Sequence, residues 1–144
     1  MSIPRLSPGD AKQLVDEQGY VYVDVRSEPE YAAGHPVGAI NVPLLHAAPG
    51  GMTPNADFVA VVSALFAKDA RLVLGCKAGG RSLRAAEQLV AVGFTGIVDQ
   101  RAGFDGVRDA FGGVVEPGWV EAGLPVEAVT AGGAYRGLRT KVGT

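Results

Sequence analysis

Residues 71–94 read RLVLGCKAGGRSLRAAEQLVAVGF. Leu72, Val73 and Leu74 form a short apolar run ending at Gly75, the pattern of a buried strand over 71–75. Leu83, Ala86, Leu89, Val90 and Gly93 then recur at helical spacing over 82–92, with Ser82 placed to cap that helix. Between strand and helix lies CKAGGR, residues 76–81, with Cys76 at its head and two adjacent glycines. A strand that stops at a cysteine, turns through glycines and opens a helix makes an anion cradle. Loop N–H groups converge on one point there, and the helix N-terminus adds the positive end of its dipole. Such surroundings favour the thiolate, the nucleophilic form of cysteine. Cys76 is therefore expected to be a nucleophile, against the plainer reading of a lone cysteine as a small buried hydrophobe.

The same alternation of short apolar runs and amphipathic segments extends in both directions. Ser7 and Pro8 mark a helix start, Ala11, Leu14 and Val15 give its inner face, and Gly19 ends it. Residues 20–25 read as a buried strand delivering Asp24 and Arg26 at its C-terminal end, followed by a helical turn over 28–33. Residues 40–42 make a short strand, and 44–55, with their prolines and Gly-Gly pair, read as loop. Asn55 can cap a helix carrying Phe58, Val59, Val62, Leu65 and Phe66. Beyond the opening stretch, 96–99 reads as a strand and 104–111 as a short helix, with Trp119, Leu124 and Val126 packing onto the body. The segment 129–144 is expected to be an extended or mobile tail, which leaves 1–128 as a single domain. Alternating strands and helices imply βαβ units: a central, mainly parallel five-stranded sheet in an α/β fold, with helices on both faces. Ligands bind beyond the C-terminal strand ends of such sheets, and Cys76, Asp24 and Arg26 all fall there.

Composition narrows the function. A chain of 144 residues suits one domain with a proper core. A net charge of −2 offers no global attraction to nucleic acid or to an anionic membrane, so an anionic substrate has to be met by local groups. A single cysteine rules out an intrachain disulfide and a cysteine-rich zinc site, and a free thiol suits a reducing compartment. The start MSIPRLSPGDAK lacks the basic and apolar regions of a secretory signal, and the expected location is the cytoplasm.

Three segments bring a family into view. VDVRSEPEYAAGHPVGAINVP (23–43) resembles the N-terminal signature of rhodanese-like domains, and residues 76–81 resemble their active-site loop. GFTGIVDQRAGFDGVRDAF and GWVEAGLPVE resemble the later part of single-domain members, so the likeness runs over about residues 5–128. One departure is Pro36, where the family usually has a branched aliphatic residue. The resemblance implies an α/β fold around a parallel sheet and a sulfurtransferase that carries sulfane sulfur as a cysteine persulfide. It makes Cys76 the catalytic residue and has Lys77, Ala78, Gly79, Gly80 and Arg81 line the substrate pocket, with no metal or organic cofactor.

The implied chemistry is consistent with the residues. A thiolate attacks the outer sulfur of a donor such as thiosulfate, sulfite departs, and a thiophilic acceptor such as cyanide or a thiol takes the sulfur in a ping-pong cycle. Gly79 and Gly80 let the backbone close around the persulfide, and Lys77 and Arg81 attract the anionic donor. With no second cysteine, the acceptor has to come from outside the chain. Ser82, Asp24, Arg26, Glu30 and His35 are supporting residues: a helix cap, an ion-pair network holding the loops, and a turn fixed at His35-Pro36. Two other readings compete. A persulfide carrier or interaction module would receive its sulfur from a partner protein. Rhodanese-fold phosphatases and arsenate reductases place five residues between cysteine and arginine. Here there are four, a ring that suits a sulfur atom better than a tetrahedral phosphate.

Overall fold

Leu72, Val73 and Leu74 are fully buried, so this strand is covered on both faces. In the computed structural model, which describes residues 3–78, 80–128 and 133–141, it lies at the centre of the sheet. The chain opens with β1 (Arg5–Leu6) and α1 (Pro8–Glu17), whose start is set by Ser7 Oγ accepting the Asp10 N–H at 3.2 Å. β2 (Val21–Asp24) leads to α2 (Glu28–Ala33), β3 (His35–Pro36) and β4 (Ile40–Asn41). β5 (Leu45–Ala48), β6 (Gly51–Pro54) and α3 (Phe58–Leu65) follow. β7 (Arg71–Gly75) runs through the Cys76 loop into α4 (Gly80–Ala91), and β8 (Gly96–Gln100) completes the central unit. The remainder comprises β9 (Val107–Arg108), β10 (Val114–Glu116), β11 (Val126–Glu127) and α5 (Tyr135–Lys141).

Five strands form one sheet in the order β1-β8-β7-β2-β4, and every pairing in it is parallel. The two faces carry separate cores. Leu72, Leu74 and Val23 pack with Phe58, Val61 and Val62 of α3 and with Ala85, Ala86 and Leu89 of α4. Tyr22, Val73 and Val98 pack on the other side with Ala11, Tyr31 and Trp119. Each such burial contributes about 1.5–3 kcal/mol, so two-sided burial holds a five-residue strand in place. The α/β architecture with helices on both faces is as expected. Parallel register also brings Asp24, Asn41 and Gly75 to one end of the sheet, directly before Cys76.

Four local expectations are corrected. Residues 44–55 are not loop: β5 and β6 pair as an antiparallel hairpin turning at Gly50 and Gly51, both at positive φ. Residues 104–111 are not a helix. Gly103 and Gly106 take φ of 72° and 90°, which break the helical path, and β9 pairs with β10 instead. Ser82 is not a cap, because α4 already begins at Gly80 and buries Ser82 in its first turn. The tail reading fails over 135–141, where α5 buries Tyr135 and Leu138 in the α3–α4 core. Residues 129–132 and 142–144 of that segment lie outside the described residues. Asn55 ties α5 down: its Nδ2 donates to Tyr135 Oη at 3.2 Å and to Pro43 O at 2.8 Å.

Candidate active site

Cys76 follows directly on β7, and the residue is 2% exposed. Its Sγ donates to Ser82 Oγ at 3.4 Å, which sets the sulfur against the first turn of α4, at the positive end of the helix dipole. The loop is braced from the side by the turn after β8. Phe104 N donates to Cys76 O at 2.7 Å and Asp105 N donates to Lys77 O at 2.9 Å. This brace requires glycine at 103, where a Cβ would stand 2.3 Å from Lys77 O. Gln100 shapes the turn: its Oε1 accepts the N–H groups of Ala102 and Gly103 at 2.8 and 2.9 Å.

Behind the cysteine, Tyr22 fills the space that a side chain at Gly75 would need. A Cβ there would come within 1.8 Å of Tyr22 Oη, which accepts from Gln100 Nε2 at 3.3 Å. Burial, reinforced by the nearby Asp24 carboxylate, pushes the Tyr22 phenol well above its ordinary range, so it stays neutral. Tyr22 and Gln100 were not singled out in the sequence. Their one visible signal is polarity inside apolar strand runs.

The predicted loop residues point in different directions. Lys77 is exposed, and its Nζ lies 3.9 Å from Asp105 Oδ2, so it stands on the outer rim. Lys77 and Ala78 border a depression of about 660 Å³ with Phe104, Asp105, Val120 and Glu121. Ala78 and Gly80 border a second of about 420 Å³ with Arg5, Leu83 and Arg101. Gly79 lies outside the described residues. Arg81 turns inward and holds Glu30 with both terminal nitrogens, Nη1 to Oε1 at 2.7 Å and Nη2 to Oε2 at 3.0 Å. Nη1 also lies 3.8 Å from Met52 Sδ on the β5–β6 hairpin. Burial works against a charge on Glu30. The Arg81 fork and the Ser27 backbone and hydroxyl donors outweigh it and lower the carboxyl to about 2. The Glu30 partnership correspondingly raises Arg81, securing its positive charge.

Asp24 and Arg26 form a buried ion pair. Arg26 Nη2 donates to Asp24 Oδ2 at 2.7 Å and to Gly34 O at 2.6 Å, and both side chains are buried. The guanidinium lies 4.2 Å over the Phe104 ring, linking this pair to the turn that braces the loop. Burial opposes the Arg26 charge, but the Asp24 carboxylate outweighs it and raises the pKa. Asn41 Nδ2 donates to the backbone oxygens of Asp24 and Arg26, both at 2.9 Å. His35 is buried, stacked on Tyr31 at 3.6 Å between ring centroids, with Nδ1 2.7 Å from Tyr31 O and Nε2 3.4 Å from Glu127 Oε2. It fixes α2 against the β3–β11 pair, as a turn-holding residue should.

A cysteine at the C-terminal end of a central parallel strand, in a loop that opens a helix, stands where ligands reach such sheets. Known proteins resemble the chain as a whole. The family model described as a rhodanese-like domain matches residues 7–110. Thiosulfate sulfurtransferase 16, chloroplastic, of Arabidopsis thaliana is 37% identical over 110 residues, covering 76% of this chain and 82% of that protein. Senescence-associated protein DIN1 of Raphanus sativus is 38% identical over 125 residues, covering 87% of this chain and 62% of that protein's length. The crystal structure of Rv0390 from M. tuberculosis aligns with a TM-score of 0.73 at 28% identity, covering 90% of this chain and 100% of that one.

Proposed function

The chain belongs to the rhodanese-like family of sulfurtransferase domains, and from that premise we propose that it moves the outer sulfur of thiosulfate to a thiophilic acceptor through a persulfide on Cys76. The observation that carries the reading is the placement of the Cys76 sulfur. It ends the central strand, lies against the first turn of α4, and is separated from Arg81 by a loop of four residues.

In the first half-reaction the Cys76 thiolate attacks the outer sulfur of thiosulfate. The sulfur–sulfur bond of the donor breaks, and sulfite leaves with the bonding pair. The terminal sulfur of the persulfide carries negative charge, which the positive end of α4 and the Arg81 charge stabilise. In the second half-reaction cyanide or a thiol attacks that terminal sulfur and regenerates the Cys76 thiolate. Ala78 and Gly80 are the loop residues that we assign to the rim of the sulfur pocket. Lys77, on the outer rim, attracts the anionic donor without touching the reacting sulfur.

Intact-mass measurement tests the reading directly. Thiosulfate is expected to add the mass of one sulfur atom, cyanide to remove it as thiocyanate, and Cys76→Ser to abolish both. An unchanged mass together with no thiocyanate would refute thiosulfate sulfur transfer.

A further inference from the structure

Val120 has no part in the scheme above, yet it holds an apolar side chain 48% exposed beside the Cys76 loop. With Phe104 and Ala78 it borders the depression of about 660 Å³, a size usual for small-ligand sites. One wall of that depression belongs to the loop itself, because the N–H groups of Phe104 and Asp105 hold the carbonyls of Cys76 and Lys77. The facing segment hangs on the same turn: Trp119 N donates to Gly103 O at 2.9 Å and Val120 N to Phe104 O at 3.3 Å. Trp119 is buried, and its Nε1 donates to Pro125 O at 2.8 Å. The recess is therefore built into the frame of the active-site loop.

Its charged groups offset one another. Arg108 Nη2 donates to Glu121 Oε2 at 3.1 Å, and Lys77 Nζ lies 3.9 Å from Asp105 Oδ2. Glu121 Oε1 also accepts the Gly118 N–H at 3.4 Å. Two cations and two acids give the recess as a whole no preference for either sign in a ligand's body. The second depression that Ala78 borders has Arg5 and Arg101 against the single acid Glu116, and it suits an anion better.

Cys76 is 2% exposed, so only the tip of an acceptor can reach a sulfur carried there. The rest of the acceptor has to lie on the surface next to the loop. We propose that the recess between Phe104 and Val120 is the acceptor subsite, and that it takes a thiol carried on an uncharged, apolar chain. The inference rests on sulfur transfer through Cys76. In the step, the acceptor thiol has given its proton to solvent, and its thiolate attacks the terminal sulfur of the persulfide. The bond from that sulfur to Cys76 Sγ breaks, Cys76 leaves as a thiolate, and the acceptor departs as a persulfide. Val120 contacts the acceptor's chain and not the reacting sulfurs, so it determines specificity.

Neutral ω-hydroxyalkanethiols of two, four and six carbons test this, because their thiols differ little in acidity and their rates report contact with the chain. Full burial of one methylene is worth about fourfold in binding. With thiosulfate as donor, kcat/KM for the acceptor should rise about two- to threefold per methylene, a part of that full value. Each value is divided by kcat/KM for cyanide with the same variant, which has no chain to bind. Val120→Asp, which puts a carboxylate on the apolar wall, should flatten the rise, and Val120→Leu should keep it. The acid 6-mercaptohexanoate should be a poorer acceptor than 6-mercaptohexanol. A rate independent of chain length, a slope that survives Val120→Asp, or equal rates for the acid and the alcohol would overturn the subsite while thiosulfate-to-cyanide transfer stands. A chain that gains no sulfur mass from thiosulfate would overturn the transfer reading and this inference with it.

Discussion

Replacing Glu30 by glutamine isolates the ion pair that ties Arg81, at the end of the Cys76 loop, to α2. The wild-type carboxyl falls from an ordinary 4.5 to about 2 on folding. At about 1.36 kcal/mol per pKa unit, this sets an upper bound of about 3 kcal/mol on its pH-dependent contribution. The Glu30 side chain is 25% exposed, against 13% for Arg81, and solvent screening reduces the contribution to about 1–2 kcal/mol. The sign follows from the lowered folded-state value. Stabilisation is fully present above about pH 4.5, where the unfolded chain's carboxyl is also ionised, and is lost as pH falls towards about 2. Urea unfolding followed by Trp119 fluorescence at a series of pH values reads this directly, since Trp119 is buried in the native state. The wild-type chain should be the more stable by about 1–2 kcal/mol at pH 6, and the gap should close between pH 4.5 and 2. A gap independent of pH would refute the argument that the Arg81 and Ser27 donors hold Glu30 ionised.

Other perturbations test the frame around the site. Gly75→Ala forces a Cβ into Tyr22 and should cost about 1–3 kcal/mol, measured by urea unfolding. Pairing it with Tyr22→Phe, which removes the oxygen at 1.8 Å, should restore part of the loss. Arg26→Ala leaves the Asp24 carboxylate buried without its partner and should destabilise by about 3–5 kcal/mol, visible as a large drop in the urea midpoint. Tyr135→Phe removes the acceptor of the Asn55 hydrogen bond and should cost about 1 kcal/mol, with thiosulfate turnover unchanged.

Much of this architecture can be read along the chain, because continuous apolar runs mark strands buried on both faces. β2, β7 and β8 announce themselves this way, and α1 does so through Ser7 and Pro8. β1 does not. Two residues carry no period, and Arg5–Leu6 becomes a strand only because β8 offers it a parallel edge. The β5–β6 hairpin is hidden for a related reason: its residues are half-exposed or exposed, so no alternation of burial shows in its composition. Cys76 and its loop stand out in the sequence because their pattern is local. The pairings of the groups that support the loop do not, since the partners are distant in sequence. Glu30 and Arg81 are visible separately as charges, but their bidentate pairing spans 51 residues. Asp99 and Gln100 look like an ordinary strand end until the sheet pairs one with Arg5 of β1 and aims the other at the turn behind Cys76. Tyr135 and Leu138 gave too sparse a pattern for a helix, and only the surface of α3 and α4 gives them something to cover.

The shortness of the sheet's borders has a consequence of its own. Both outermost strands, β1 and β4, are only two residues long, while the paired strands inside run to four or five. A long, flat border would offer a row of free backbone donors and acceptors to any neighbouring chain and so seed aggregation. Two residues offer almost no template, and at β1 one of them is a half-exposed arginine. The sheet therefore keeps its long strands inside, and its margins give other molecules little to pair with.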